Sequence, residues 1–305
     1  MFLLQRYFAF VIFTSLLSVF CTHAKDTLSP TNEFHLQYQV GSVQRNYTGE
    51  WRVQSLFIDA GKPSTVIVAT LNWPPYIGRQ QCKNGWLTHY MAAVLIESGY
   101  NPEFRFLPWV RAVRMVELGH ADILAPEYEI EPSSPSDVVA GDTRLQHLAM
   151  SVPFANTPVN YLALAKSNIK EAPSLTELPN YSLGVVRGYQ NSPDVDALID
   201  SGKLVTALAV DDAQNLSLLL RARVNLIIGD PTVIDTLANR AGIDTRAYRV
   251  LQPAITEQSL YFALSKSKPR WQTLLQHINT TIEQFKAANM DVEFALQIGN
   301  ECSQQ

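Results

Sequence analysis

Short apolar runs alternate with stretches of helical spacing along most of this 305-residue chain. Between residues 64 and 160 the alternation predicts three strands separated by two helices. The strands are Thr65–Leu71, Glu103–Leu107 and Ala121–Ala125, and the helices are Trp86–Glu97 and Pro108–Leu118. Strands that alternate with helices favour a parallel sheet, in which ligands lie at the carboxyl ends of the strands. We therefore predict a first α/β lobe over residues 64–160.

The same order of elements returns between residues 161 and 260, which predicts a second lobe of the same class. Its strands are Leu183–Val186, Lys203–Ala209 and Leu226–Gly229. Its first helix begins at Pro193, its second follows Asp212, which we predict to be the N-cap, and its third begins after Pro231. Residues 266–305 then carry a long amphipathic helix over Pro269–Ala288. We expect this last segment to return to the first lobe.

Two similar runs stand at the borders of the second lobe, Tyr161–Ser167 (YLALAKS) and Tyr261–Ser267 (YFALSKS). Each is a short apolar run led by an aromatic residue, which is typical of a buried strand. If one strand enters the second lobe and the other leaves it, the two together form a hinge. We place these hinge strands at residues 161–165 and 261–265, with a ligand cleft between the lobes.

The first 24 residues have the three parts of a secretory signal peptide, with cleavage expected after Ala24. A membrane anchor is the alternative, but the apolar run from Tyr7 to Phe20 is shorter than a membrane span needs. Residues 25–63 then form an N-terminal extension of unclear structure, in which Arg52–Ile58 is a candidate edge strand. The mature protein is thus expected to be exported.

Two cysteines follow the predicted cleavage site, Cys82 and Cys302. An oxidising compartment allows them to form a disulfide that ties the C-terminus to an early loop. Two free thiols are the alternative. We favour the disulfide because an exposed free thiol outside the cytoplasm is a liability.

The composition and motifs of the chain argue against several classes of function, including nucleic-acid binding. The chain is 47% hydrophobic and 17% charged, with a formal net charge of −4. This balance gives no basic surface for nucleic acid. The sequence also carries no nucleophile-elbow, zinc-protease or phosphate-loop motif, and its six histidines have no metal-ligand spacing. We expect no cofactor and no metal.

Five segments together resemble the bacterial periplasmic solute-binding proteins of family 3, the polar amino acid type that serves ABC transporters. They are Trp73–Tyr76 (WPPY), Gly119–Asp122 (GHAD), Val152–Phe154 (VPF), Leu183–Tyr189 (LGVVRGY) and Arg221–Asp230 (RARVNLIIGD). The resemblance covers roughly residues 66–298. It implies a two-lobed periplasmic-binding-protein (type II) clamp, with a mixed, mostly parallel sheet and flanking helices in each lobe and two hinge strands.

The resemblance also implies roles for particular residues. Trp73 or Tyr76 matches the aromatic residue that packs on the ligand, and Asp230 matches the acid that takes the ligand's ammonium group. Helix capping by Asp230 is the alternative role, and the two are compatible. Arg187 and Tyr189 follow the first strand of the second lobe, where an arginine and backbone N–H groups suit a carboxylate.

The chain departs from the family after its third strand. Counted from Asp122, the arginine that grips the ligand's carboxylate is replaced within Glu131–Ser134, while Glu127 and Glu129 add negative charge. Arg111, on the first helical turn with Trp109, is a candidate replacement. These differences disfavour an ordinary α-amino acid and favour a cation.

We therefore expect a monomeric periplasmic protein that captures a small polar or charged metabolite, amino-acid-like or cationic, and presents it to a membrane permease or sensor. The alternative is a dehydratase on the same fold, in which Glu127 or Glu129 donates a proton as general acid. A clamp that serves only to bind would not be an enzyme.

Overall fold

The computed structural model describes residues 33–303. The predicted signal peptide and the first part of the predicted extension lie outside the described residues. Over residues 33–303, no helix has both the length and the apolar character that a membrane span requires.

The described residues form thirteen β-strands and eight α-helices. The strands are β1 (Glu33–Val40), β2 (Val43–Trp51), β3 (Ser55–Ile58), β4 (Thr65–Thr70), β5 (Asn101–Phe106), β6 (Ile123–Glu127), β7 (Leu148–Met150), β8 (Ala155–Leu164), β9 (Ser182–Val186), β10 (Val205–Ala209), β11 (Leu226–Gly229), β12 (Tyr248–Val250) and β13 (Thr256–Ser265). The helices are α1 (Trp86–Glu97), α2 (Trp109–Glu117), α3 (Arg144–His147), α4 (Pro193–Asp200), α5 (Asp212–Leu220), α6 (Pro231–Arg240), α7 (Trp271–Ala287) and α8 (Met290–Ser303).

The first lobe is built on a sheet of order β1-β2-β3-β5-β4-β6-β13. Strand β4 lies at its centre and pairs in parallel with β5 and β6. Its β-branched sequence suits a strand covered on both faces, and Val68 and Ala69 are fully buried. Helix α1 is apolar around most of its circumference because it lies inside the lobe, with buried residues from Leu87 to Ile96.

The second lobe is built on strands β8-β11-β9-β10. Strand β9 pairs in parallel with β10 and β11, as the alternation of strands and helices predicts. Strand β8 is antiparallel to β11. The expected mixed α/β fold with two lobes is confirmed, but the sheets are not mostly parallel, because among these strands only the pairings of β4 and β9 are parallel and the others are antiparallel.

Two long strands, β8 and β13, pass between the lobes and pair with each other antiparallel. Their mutual pairing runs from Ala155 to Val159 on β8 and from Thr256 to Leu260 on β13. The two similar motifs follow this pairing and lie at its opposite ends. Tyr161 pairs in the second-lobe sheet with β11, whereas Tyr261 pairs in the first-lobe sheet with β6. The separation follows from the antiparallel direction, since the C-terminal halves of the two strands point to opposite lobes.

The N-terminal extension has a definite structure from residue 33 onward. Strands β1 and β2 form a hairpin, and β3 joins it to β5 of the first lobe. Alternate residues Phe34, Leu36 and Tyr38 point into the core, as expected for a strand with one solvated face. The run Arg52–Ile58 is therefore not at an edge, because β3 has a neighbour on each side.

The C-terminal helices complete the first lobe. Helix α7 buries Leu274, Ile278 and Phe285, and α8 packs beside it through Met290 and Phe294. Cys302 on α8 forms the predicted disulfide with Cys82, across 220 residues of chain. The disulfide is thereby confirmed.

Candidate functional site

The carboxyl ends of strands from both lobes converge on one cavity, which is the candidate site. The end of β4 contributes Leu71 and Trp73, and the end of β6 contributes Pro126 and Glu127. The remaining lining residues are Trp109, Tyr128, Tyr189, Gln190 and Leu260. The cavity has a volume of about 30 Å³, which is room for about two water molecules. At this cavity the two lobes therefore lie against each other.

Glu127 is the acidic residue in the cavity wall, and its side chain is 2% exposed. Its Oε1 accepts a hydrogen bond of 3.1 Å from the backbone N–H of Tyr128. Among the described residues, its Oε2 has no hydrogen-bond partner. Burial raises the pKa of Glu127 to about 8, against the opposing effect of Arg144. An unsatisfied buried carboxyl is costly, so this oxygen is suited to a ligand that donates a hydrogen bond.

Aromatic rings form much of the cavity wall. Trp73 lies 4.7 Å from Tyr76 and 6.1 Å from Tyr128, measured between ring centroids. Trp109 meets Tyr189 of the other lobe edge to face, at 6.1 Å. The turn that carries Trp73 is held by reciprocal backbone hydrogen bonds between Trp73 and Ile77. Rings arranged around one carboxylate suit an alkyl chain or a cation.

Tyr76 does not line the cavity but joins the lobes beside it. Its hydroxyl donates a hydrogen bond of 2.8 Å to Oδ2 of Asp230. Oδ1 of Asp230 accepts from the backbone N–H groups of Thr232 and Val233, at 2.7 and 3.3 Å. Asp230 is thus the N-cap of α6 and a contact between the lobes at once. Burial raises the pKa of Asp230.

Gly188 is a second meeting point of the lobes. Its carbonyl oxygen accepts hydrogen bonds from Trp109 Nε1, at 3.2 Å, and from Arg144 Nη1, at 3.1 Å. Its φ of +87° is costly for other residues, and a Cβ here would lie 3.2 Å from Cγ2 of Val110. The predicted turn at residues 187–189 therefore needs glycine for both its conformation and the approach of the first lobe.

A third carboxylate, Asp212, lies behind Tyr189, whose hydroxyl donates to its Oδ2 at 2.9 Å. The prediction that Asp212 caps α5 is wrong, because Asp211 accepts from the backbone N–H of Gln214 and fills the cap position. This leaves the buried Asp212 side chain directed toward the cleft region. Burial raises its pKa to about 7.

Arg144 is a buried cation that was not among the predicted site residues. Its side chain is 4% exposed and forms an ion pair with Asp137, with 2.7 Å between Nη2 and Oδ2. The segment between β6 and α3 runs from residue 128 to 143, so Arg144 lies beyond Glu131–Ser134, the positions at which the resemblance leads one to expect an arginine.

The other predicted site residues lie away from the cavity. Arg111 is exposed and borders a larger open groove of about 970 Å³, which adjoins the cavity at Leu71 and Trp109. Arg187 and Glu129 are also exposed and line neither space. Across residues 33–303, no group of three or more His, Cys, Asp or Glu side chains is arranged to hold a metal ion.

Comparison with known proteins rests on structure alone. No family model matches the chain, and no curated protein matches it in sequence. Among solved structures, it is similar to a histidine kinase sensor domain with similarity to periplasmic binding proteins. The TM-score is 0.62 at 16% identity, over 76% of this chain and 95% of that one.

Two further solved structures have the same fold. One is an amino acid ABC transporter substrate-binding protein from Streptococcus pneumoniae bound to L-arginine, with a TM-score of 0.60 and 13% identity, covering 78% of this chain and 95% of that one. The other is the GluR0 ligand-binding core in complex with L-glutamate, with a TM-score of 0.58 and 16% identity, covering 76% and 97%. At these identities the comparisons establish the periplasmic-binding-protein-like fold.

Proposed function

We propose that this protein is an extracytoplasmic solute-binding protein that captures a small polar or charged metabolite between its two lobes. The observation that carries the proposal is Glu127, which belongs to the wall of a cavity lined from both lobes and whose buried Oε2 has no hydrogen-bond partner within residues 33–303. Ligand sites of this kind are largely apolar, with a few polar groups that fix orientation.

Capture requires the lobes to part and close again. The cavity volume of about 30 Å³ is too small for a metabolite of amino acid size, so entry needs an opening motion. Strands β8 and β13 are the hinge we propose for it, since they connect the lobes through paired backbone. A ligand that contacts both lobes binds the closed form more tightly than the open form and thereby shifts the equilibrium toward the closed form.

The membrane partner is a transporter or a sensor. Proteins with this fold include a transporter's substrate-binding protein and a histidine kinase sensor domain, so the fold is compatible with either partner. An exported location agrees with the disulfide between Cys82 and Cys302, because such bonds persist outside the cytoplasm. We propose the periplasm as the compartment.

A thermal-shift screen of the mature protein tests this function. The panel contains amino acids, amines, dicarboxylates and short peptides. One class should raise the unfolding midpoint, because a ligand at 100 times its Kd adds about 2.7 kcal/mol to the free energy of unfolding. Glu127→Gln should abolish the shift, whereas Glu171→Gln, on the exposed surface of the second lobe, should retain it. A panel without any stabiliser would contradict the proposal.

The second candidate function is a dehydratase, and the raised pKa of Glu127 is the observation that favours it. A carboxyl with a pKa of about 8 holds its proton at neutral pH and can donate it to a departing hydroxyl group. Exposed Glu129 is not placed for this role. Product formed from a prephenate-like substrate by the wild type and not by Glu127→Gln would establish the enzyme in place of the binding protein.

A further inference from the structure

Asp137 and Gly188 take the two terminal nitrogens of the Arg144 guanidinium from within the chain, while the buried Nε of Arg144 has no hydrogen-bond partner among the described residues. Nη2 of Arg144 lies 2.7 Å from Oδ2 of Asp137, and Nη1 is taken by the carbonyl oxygen of Gly188. Ion pairs of this geometry are strong when both members are shielded from water, and Asp137 is 21% exposed. The charge of Arg144 is therefore already balanced by Asp137 before any ligand is considered.

Asp137 is fixed by its backbone as well as by its side chain. Its N–H donates to Oε2 of the buried Glu117 at 3.0 Å, and its carbonyl oxygen accepts from Nη1 of Arg114 at 2.7 Å. Glu117 also accepts a hydrogen bond of 3.0 Å from the hydroxyl of Ser136. A ligand carboxylate would have to displace a residue held at several points in order to reach Nη2 of Arg144.

The cavity wall carries an acidic side chain, whereas the adjoining open groove is lined by Arg79, Arg111 and Arg240. Over the described residues, the cavity wall includes the carboxyl of Glu127 and no arginine or lysine. Asp212 and Asp230 lie behind it, each bonded to a tyrosine hydroxyl. Glu127 shares the cavity wall with the aromatic rings of Trp73, Trp109, Tyr128 and Tyr189. An acidic group among aromatic rings is the arrangement found in binding sites for ammonium and guanidinium ions.

We infer that Asp137 is a specificity-determining residue: by neutralising Arg144 internally, it makes the cleft select an organic cation that carries no carboxylate, such as an amine or a guanidine. This inference rests on the proposed binding function and names its ligand class. Glu127 receives the cationic group as a carboxylate, because the charge of a bound cation favours the ionised form, and the aromatic rings receive the alkyl chain. An amino acid that keeps its carboxylate meets no arginine or lysine in the cavity wall.

Pairs of probes that differ only in the α-carboxylate test the inference on the full mature protein. The pairs are agmatine with L-arginine and putrescine with L-ornithine, measured by isothermal titration calorimetry. The decarboxylated member of at least one pair should bind 10-fold or more tightly than the amino acid. An amino acid that binds as tightly as its amine, or more tightly, overturns the inference.

Asp137→Asn tests the role of this residue directly, because it keeps the side-chain shape and removes the charge. It should raise the affinity for L-arginine relative to agmatine by 10-fold or more. Asp142→Asn is the matched control on the same loop, where the aspartate pairs with His147 at 2.9 Å, and it should leave the ratio unchanged. An unchanged ratio in a folded Asp137→Asn variant contradicts the assignment.

Glu127→Gln supplies a second readout if Asp137→Asn fails to fold. It should lower agmatine affinity 10-fold or more, and undiminished agmatine binding by this variant would also contradict the inference. If wild-type protein binds a dicarboxylate or a peptide and none of the amines, the inference falls and the binding function stands. If no probe of any class binds, both fall.

Discussion

The hydroxyl of Tyr76 in the first lobe donates a hydrogen bond of 2.8 Å to Oδ2 of Asp230 in the second. The two residues are 9% and 3% exposed, so the bond is shielded from water. It joins the turn after β4 to the start of α6, and it does so beside the cavity. The closed arrangement of the lobes therefore depends on contacts that the protein makes with itself.

Tyr76→Phe removes this bond while it keeps the ring. The buried Oδ2 of Asp230 then loses the hydrogen bond that the Tyr76 hydroxyl donates to it. This loss should lower the free energy of unfolding by about 1–3 kcal/mol. Urea denaturation measures this cost, and small-angle scattering should show a larger radius of gyration. Tyr100→Phe is the control, because its hydroxyl meets His277 at an exposed site. Equal effects of the two substitutions would show that the Tyr76 bond does not hold the lobes.

Glu127 should make stability depend on pH. Burial raises its pKa to about 8, while Arg144 lowers it and Asp137 and Glu117 raise it slightly. Between about pH 4.3 and about pH 8 the unfolded chain releases a proton that the folded chain keeps, so stability falls as pH rises, by at most about 1.4 kcal/mol per unit.

Glu127→Gln removes that dependence and leaves the other titrating groups in place. Chemical denaturation at pH 5, 6, 7 and 8 should find the variant gaining stability relative to the wild type as pH rises. Because Asp212 titrates in both proteins, the difference between them isolates Glu127. A difference that is constant over this pH range would show that Glu127 ionises normally in the folded protein.

Gly188→Ala should open the cleft. The added Cβ would stand 3.2 Å from Val110 and 3.5 Å from Trp109, both in the opposite lobe. Gly202→Ala is a matched control, since Gly202 also has positive φ (+68°) but nothing lies within 4 Å of its added Cβ. Both variants bear the backbone cost of about 1 kcal/mol. Gly188→Ala alone should weaken binding of the ligand found in the screen, which titration calorimetry would measure.

The disulfide between Cys82 and Cys302 should stabilise the protein by about 2–5 kcal/mol, because it restricts a long loop in the unfolded chain. A reducing agent should lower the unfolding midpoint of the wild type. The double variant Cys82→Ser with Cys302→Ser should start from the lower midpoint and show no response to reductant. If the reducing agent left the unfolding midpoint of the wild type unchanged, the prediction would be contradicted.

The fold was predictable because strand and helix periods alternate regularly from residue 65 to residue 287. The bounds of α1 were predicted without error, and most other elements differ by one to three residues at their ends. Strand β1 was not predicted. Its apolar residues Phe34, Leu36 and Tyr38 alternate with polar residues, but no helix follows the strand to mark it as part of the α/β pattern. The register between β8 and β13 is set by tertiary pairing, which similar motifs do not reveal.

The site was less predictable, because its charges depend on loop length. Glu127 and Asp230 stand directly after strands, where the sequence points to them. Arg144 lies beyond a long loop, and nothing in its neighbours indicates that Asp137 occupies it. Two adjacent aspartates at 211 and 212 present the same difficulty, since the sequence does not tell which one caps the helix and which one is left for the cleft.

The disulfide between Cys82 and Cys302 has a mechanical consequence. It closes a covalent ring that contains β5, β6, the whole second lobe and both strands that connect the lobes. Tension applied between residues 33 and 303 would pass from Cys82 directly to Cys302 and bypass that ring. While the bond is oxidised, such a pull therefore loads β4 and the turn that carries Trp73 but not the two strands that connect the lobes, and only its reduction would transmit force to the hinge.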